Sequence, residues 1–341
     1  MSESMRAIVI SKFGGPEVLE YQDVAKPVPG PDEVLIRVHA FGVNHAEMHM
    51  RKGEWDEWNP VTGLECVGTI EAHPLSSPSP SQLYYPPGTK VAAVMGGLGR
   101  TRPGSYGEYI TVSTRNIIPL TTTLPWPHLA ALPEVYCTAY TALFKLLDLK
   151  RDETLLLRGA TSTLGQAALH LAVDAGAAVT ATTRRAERFA WLREELGAAE
   201  AVREERNLSF SGRDEGRGGK TPRFDKTLNL IGNSVLLESI ALTRAGGRMV
   251  QAGWLGGLEP VRDFDPMVQM ESGVHFSLFH SKVLGTPEFA LSDIPLQEIV
   301  RKIEQGVWDA RPARVFEYQD IVNAHRALDS HDVGGKIVVR H

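Results

Sequence analysis

Between Thr154 and Ala168 the chain runs through an apolar strand-like stretch, Leu155-Leu156-Leu157-Arg158, then a turn of small residues from Gly159 to Gly165, then an alanine-rich helical stretch. A buried strand that turns sharply into a helix admits few architectures, because the strand needs parallel neighbours and covering helices on both faces. Neighbouring segments repeat the rhythm. Ala178-Val179-Thr180-Ala181-Thr182, Lys226-Thr227-Leu228-Asn229-Leu230 and Arg248-Met249-Val250-Gln251-Ala252 are strand-like and alternate with helical stretches, and Val274-His275-Phe276-Ser277-Leu278 is a last β run able to close the sheet. Residues 127–281 are therefore expected to form a parallel sheet covered by helices on both faces.

The turn suits a dinucleotide pyrophosphate. Small residues let the backbone approach the phosphates, the helix N-terminus offers amides and partial positive charge at Ser162, Thr163 and Leu164, and Gly165 permits close packing of helix on strand. The central glycine of G-x-G-x-x-G is missing, with Ser162 and Thr163 in its place; read blandly, the segment is a strand-to-helix turn with a serine cap. No acidic residue ends the second strand, which runs Thr182-Thr183-Arg184-Arg185, and Glu187 comes later. An acid there would hold the ribose 2'-hydroxyl of NAD, whereas Arg184 and Arg188, with Thr183 beside them, suit a 2'-phosphate, so NADPH is favoured. The competing reading of these arginines is a solvated helix face.

The first third is different. Short β runs at 6–10, 33–38, 66–70 and 90–94 alternate with turn residues, which predicts a mostly antiparallel β-rich domain. The Pro/Ser-rich stretch 73–81 reads as an exposed loop, and the Gly/Arg/Ser-rich stretch Ser209 to Thr221 as a surface excursion. Amphipathic helices are expected at 296–303 and 321–328, and Lys336-Ile337-Val338-Val339 as a strand rejoining the first domain. The domain boundaries are thus read as 1–126 with 282–341, and 127–281.

Composition limits the function classes. With 43% hydrophobic and 23% charged residues and a net charge of -5, the chain has a core to bury and no electrostatic reason to bind nucleic acid. No stretch of 18 apolar residues and no leader pattern is present, and two cysteines among 341 residues fit a reducing compartment, so a cytoplasmic protein with a small-molecule partner is expected.

Several motifs carry a resemblance to a known family: Phe13-Gly14-Gly15-Pro16-Glu17-Val18-Leu19, Gly42-Val43-Asn44, Gly104-Ser105-Tyr106-Gly107-Glu108-Tyr109, Ala130-Ala131-Leu132-Pro133, Thr138-Ala139-Tyr140-Thr141-Ala142-Leu143 and the Gly159–Gly165 loop. Over nearly its whole length the chain resembles the medium-chain dehydrogenase/reductase superfamily, specifically its zinc-independent quinone oxidoreductase branch. The resemblance implies an α/β protein with a GroES-like catalytic domain built from both chain ends and a Rossmann domain between them. Alcohol dehydrogenases of that superfamily hold zinc on Cys, His and Cys, where this chain has Asn44, Leu64 and Glu134, and no metal is expected. His45 and His49 are four apart, but a hydrolytic H-E-x-x-H would need Glu at position 46.

By resemblance, Asn44 and Thr138 lie near the nicotinamide, and Asn229, Gly253 and the backbone around Phe276 line its ribose and carboxamide. His49 stands where quinone oxidoreductases usually have a tyrosine in the cleft, and Tyr136 is a second candidate proton donor; simple helix packing is its plainer reading. The expected activity is NADPH-dependent hydride transfer to a quinone or an α,β-unsaturated carbonyl. An enoyl-thioester reductase and a non-catalytic NADPH-binding protein are the alternatives. A homodimer paired through the 274–278 strand is expected.

Overall fold

The computed structural model describes residues 3–74, 84–210, 222–330 and 333–341. Two units make up the chain, Met1–Cys137 with Ser281–His341, and Thr138–His280.

In the first unit, β1 (Ser4–Ile10) and β2 (Leu19–Ala25) form an antiparallel pair. A seven-stranded sheet follows from β3 (Glu33–Val43), β4 (Glu65–Ala72), β5 (Lys90–Val94), β6 (Tyr109–Ser113) and β7 (Ile117–Pro119), with α1 (His45–Lys52) between β3 and β4. After α2 (Trp126–Ala130), α3 (Pro133–Tyr140) carries the chain onward.

The second unit runs β8 (Thr154–Arg158), α4 (Thr163–Asp174), β9 (Ala178–Thr183), α5 (Phe189–Glu194), β10 (Glu200–Arg203), β11 (Phe224–Asn229), α6 (Leu236–Ala241), β12 (Thr243–Gln251), α7 (Pro266–Gln269) and β13 (His275–Leu278). Its strands lie in the order β10-β9-β8-β11-β12-β13, all parallel. Leu155, Leu156 and Leu157 are fully buried at the centre, as a two-faced parallel sheet demands. The order reverses between β8 and β11, and an open α/β sheet binds its ligand outside the strand ends at such a switch point. β13 is the edge strand, and Phe276 and Leu278 on it are exposed.

The chain then completes the first unit with α8 (Leu296–Glu304), β14 (Arg314–Glu317), α9 (Ile321–Asp329) and β15 (Ile337–Arg340). β15 pairs antiparallel with β3, with Ile337 opposite Val43, so Lys336 falls beside Asn44. The expected fold class, a GroES-like β-rich domain and a Rossmann sheet, is what the backbone shows. Among the described residues no helix is long and apolar enough to cross a membrane.

Two loop readings need comment. Residues 75–83 of the Pro/Ser-rich loop, and 211–221 of the second excursion, lie outside the described residues. At the start of the latter, the surface reading fails: Phe210 is buried against Phe224, Leu156, Val202 and Leu242, because its ring fills space beneath the sheet that the polar sequence after it does not advertise.

The first unit's core contains a buried polar knot. Tyr106 Oη and His325 Nε2 lie 2.8 Å apart, the Tyr318 hydroxyl donates to the Tyr106 carbonyl at 2.9 Å, and Arg51 of α1, wholly buried, reaches Asp329 at 2.7 Å. Burial, aided by the Arg51 charge, pulls the His325 pKa down to about 3. The unfolded imidazole titrates near its ordinary 6.5, so the unfolded chain binds the extra proton between those values. Stability from this group is complete above about pH 6.5 and is lost as the pH falls toward 3. His325→Phe should therefore flatten the pH dependence of unfolding free energy in that window by up to one proton, ~1.4 kcal/mol per pH unit. Denaturant titrations across the range check this; parallel slopes for the two proteins would contradict it.

Candidate active-site cluster and cofactor loop

At the end of β8 the backbone turns left-handed at Gly159, φ +85°. A Cβ on Gly165 would sit 2.3 Å from the Gly159 carbonyl oxygen, so only glycine lets α4 approach the strand this closely. Ser162, standing near the missing central glycine, turns its hydroxyl inward: it donates to the Gly159 carbonyl at 2.8 Å and accepts from the Gly165 amide at 3.0 Å. That cap explains how the loop tolerates a side chain there. The first-turn amides of Thr163 and Leu164 have no intrahelical acceptor, as in any α-helix, so the turn keeps the donors that phosphate oxygens need.

The loop is anchored from below. Arg158, fully buried, donates to Glu204 at 2.5 and 3.2 Å, to Glu238 at 2.7 Å and to the Glu205 carbonyl at 3.2 Å. Thr182 on β9 donates to Glu204 and accepts from the Gly159 amide at 3.0 Å. A continuous chain of hydrogen bonds thus runs from Arg158 through Glu204 and Thr182 to the first residue of the loop.

At the end of β9, Thr183 is buried, accepts from the Arg185 amide and lies 3.2 Å from the Thr161 hydroxyl. Arg184 is exposed, and the Arg188 guanidinium sits 5.2 Å from the Trp191 ring centroid. Asn229 uses its amide to shape its own turn, accepting from the Ile231 and Gly232 amides at 2.9 Å each and donating to the Gly232 carbonyl at 3.0 Å. Gly253 packs so tightly that a Cβ would fall 2.7 Å from the Leu230 carbonyl oxygen. Thr138 is buried on α3, and Phe276 is partly exposed on β13.

In the first unit, Asn44 caps α1. Its amide donates to Glu47 at 2.9 Å, and its side chain receives Lys336 Nζ at 2.5 Å while donating to Glu65 at 3.2 Å. Lys336 also donates to Glu65 at 2.6 Å; both side chains are buried. The Leu64 amide donates to Glu47 and the Glu134 amide to Glu65. Burial pushes the Glu47 carboxyl up to about 7 against its hydrogen bonds and the Lys336 charge. Burial alone would lower the Lys336 pKa, but Glu65, Glu134 and Glu47 hold it above the ordinary value. Gly42 makes room: a Cβ there would lie 2.3 Å from the Glu65 carboxylate and 2.4 Å from Lys336 Cε.

This set does not fit zinc. The positions aligned with the alcohol dehydrogenase ligands hold an amide bonded to an ammonium, a leucine and a glutamate, and a dication would meet the buried Lys336 charge. Among the described residues no three His, Cys, Asp or Glu side chains converge as a metal site.

His49, one turn into α1, stacks on Trp55 with ring centroids 5.2 Å apart, and its Nδ1 is held by Glu54. Tyr136 is buried and lies parallel to Trp308 at 6.0 Å; burial, with Asp309 nearby, keeps its phenol protonated.

Comparison with known proteins identifies the family of the chain. Residues 30–122 match the alcohol dehydrogenase GroES-like domain family and residues 196–339 the zinc-binding dehydrogenase family. A quinone oxidoreductase of Lama guanicoe is 30% identical, over 98% of this chain and 97% of its own length. The chain belongs to the quinone oxidoreductase-like branch of the medium-chain dehydrogenase/reductase superfamily. That membership carries a nicotinamide cofactor and oxidoreductase chemistry. A mycobacterial quinone oxidoreductase shares this medium-chain fold at a TM-score of 0.83, with 23% identity over 99% of this chain and all of that one. The CurK enoyl reductase does so at 0.78, with 24% identity over 99% of each.

Sequence reading missed Glu65, Lys336 and Glu204 as residues that shape the cluster and the loop. The Asn44 to Glu47 spacing, a cap followed three residues later by an acid, was the one local signal available. Elemental analysis of the purified protein should find well under one zinc per chain, and a chelator should leave its unfolding midpoint in place. Stoichiometric zinc would show that the Asn44 and Lys336 pair rearranges around metal.

Proposed function

We propose that the protein is an NADPH-dependent, zinc-independent reductase of quinones or α,β-unsaturated carbonyls. The observation that carries this reading is the Lys336 ammonium lodged against Glu65 and against Asn44, a position aligned with one of the zinc ligands of the alcohol dehydrogenases. Reduction of an already electrophilic acceptor needs hydride and a hydrogen-bond donor instead. Bound NADPH supplies the hydride from nicotinamide C4. The Gly159–Gly165 turn binds the pyrophosphate and Arg184 and Arg188 hold the 2'-phosphate, while Asn44 in the first unit and Thr138, Asn229, Gly253 and Phe276 in the second are assigned to the nicotinamide end by their resemblance to family residues. His49 faces the oxygen on which negative charge develops, and the reduced acceptor takes one hydride on carbon and one proton on oxygen.

The Glu54 contact sharpens the role of His49. With Nδ1 engaged by Glu54, Nε2 is the ring nitrogen assigned to the acceptor. The exposed apolar β13 edge supports a homodimer, measurable by light scattering, and two buried cysteines that form no disulfide fit a cytoplasmic setting.

Following the nicotinamide absorbance against a panel of quinones, enones, enals and enoyl thioesters tests the activity. Turnover of enoyl thioesters alone would assign an acyl-chain reductase, and NADPH binding without turnover a non-catalytic role. Arg184→Ala or Arg188→Ala should weaken NADPH about tenfold or more and NADH hardly at all, since each phosphate contact contributes about 1.5–3 kcal/mol. Equal losses for both cofactors would place the arginines in the fold. His49→Ala should lower kcat and kcat/KM together by at least about tenfold, in line with ~2.7–4 kcal/mol for an oxyanion donor, with NADPH affinity retained. Full activity in that variant would move the donor to Tyr136 or solvent.

A further inference from the structure

Next to His49 the first unit holds a second cation that the reduction just described does not use. Arg100 lies in the glycine-rich turn after β5, its side chain 7% exposed. Its guanidinium carbon is 4.9 Å from the centroid of the Trp55 ring, the same ring on which His49 stacks. Nε is buried with no hydrogen-bond partner. Among the described residues the carboxylate paired with it is Glu57, at 3.4 Å from Nη1, and that carboxylate is shared with Lys282 Nζ at 3.5 Å. Both contacts are long for charge-assisted hydrogen bonds, and the Glu57 side chain is 43% exposed.

A buried guanidinium is ordinarily matched by a close, often bidentate, carboxylate, as Arg158 is by Glu204 and Arg51 by Asp329. Arg100 departs from that pattern. Burial holds its pKa below the usual value, with Glu57 and Glu47 only partly opposing the effect. Two cations converging on one loosely held, exposed carboxylate form a site whose present counter-ion is exchangeable.

We propose that Arg100 and Lys282 form a carboxylate subsite, in which the acid group of an anionic acceptor replaces the Glu57 side chain while the conjugated part of the molecule lies along Trp55 toward His49. The proposal rests on the reductase reading above and narrows its substrate class to conjugated acceptors that carry a carboxylate. A flat acid fits the planar donor fork of arginine and the indole beside it. Arg100 is then a specificity residue, and Glu57 an internal competitor for the same place.

Binding and turnover are measured separately. In calorimetric titration of the full-length protein, benzoate should bind at least about tenfold more tightly than its uncharged counterpart benzamide. Arg100→Gln should remove that difference, and Glu57→Gln, at an exposed position, should widen it by about threefold or more. Benzoate binding no tighter than benzamide, or a preference unchanged in Arg100→Gln, overturns the subsite. If Arg100→Gln does not fold, Glu57→Gln decides alone: a wider preference supports the proposal, an unchanged or narrower one ends it. In turnover, the kcat/KM ratio of a carboxylate-bearing benzoquinone to plain benzoquinone should rise in Glu57→Gln and fall in Arg100→Lys. Reduction of neutral quinones with no charge discrimination would keep the reductase and reject the subsite. Charge-selective benzoate binding without reduction of any acceptor would do the reverse.

Discussion

Everything in the catalytic unit is arranged around one buried ammonium. Lys336, immediately before the last strand, meets Glu65, 271 positions earlier, at 2.6 Å. Removing two charges from water costs several kcal/mol per ion, offset only where geometry and hydrogen bonding are complete, and deleting one partner of such a pair typically destabilises by about 3–5 kcal/mol. The completeness is visible: Asn44 joins the pair, the Glu134 amide takes the second Glu65 oxygen, and Gly42 leaves out the side chain that would collide with both. The register of β15 on β3 puts Lys336 in reach, so the two ends of the chain are locked together at the residue assigned to the nicotinamide.

The Rossmann unit solves a related problem with an arginine. A guanidinium at the end of the central strand would be ruinous alone, yet Arg158 has acceptors on α6 and on the two residues that follow β10. The arrangement ties three chain segments to the first residue of the phosphate loop, so the loop inherits the rigidity of the sheet rather than that of a surface turn.

How much of this could be read in advance depends on the distance over which each signal acts. Period and turn chemistry are local, which is why the strands at 6–10, 33–38, 66–70 and 90–94, the β8 to α4 turn and the returning strand at 337–340 were legible. The family motifs extended that reading to both halves of the fold. Buried charge pairs are not local. Lys336 sits before a strand in a Gly-Gly-Lys context that looks like any solvated turn, and Arg158 and Glu204 are separated by 46 positions with α4, β9, α5 and β10 between them. Ser162 misled in the opposite direction: its identity weakened the glycine pattern, while its hydroxyl strengthens the turn. Phe210 shows that a polar neighbourhood does not exclude an anchored aromatic.

The neutralisation of Arg158 divides the cofactor site into two electrostatic regimes. Its charge is matched by Glu204 and Glu238 and lies out of water, so it lends little net attraction to an approaching pyrophosphate. What the turn and the start of α4 offer a pyrophosphate instead is short-range dipoles, their backbone amides, whose hold varies little with ionic strength. The arginines after β9 stand at the surface, where mobile ions screen charge over about 10 Å at 0.1 M salt. On the proposed placement of a 2'-phosphate at Arg184 and Arg188, salt in the surrounding medium becomes a control on cofactor choice: added salt erodes whatever preference those arginines give the phosphorylated dinucleotide, without any change in the protein.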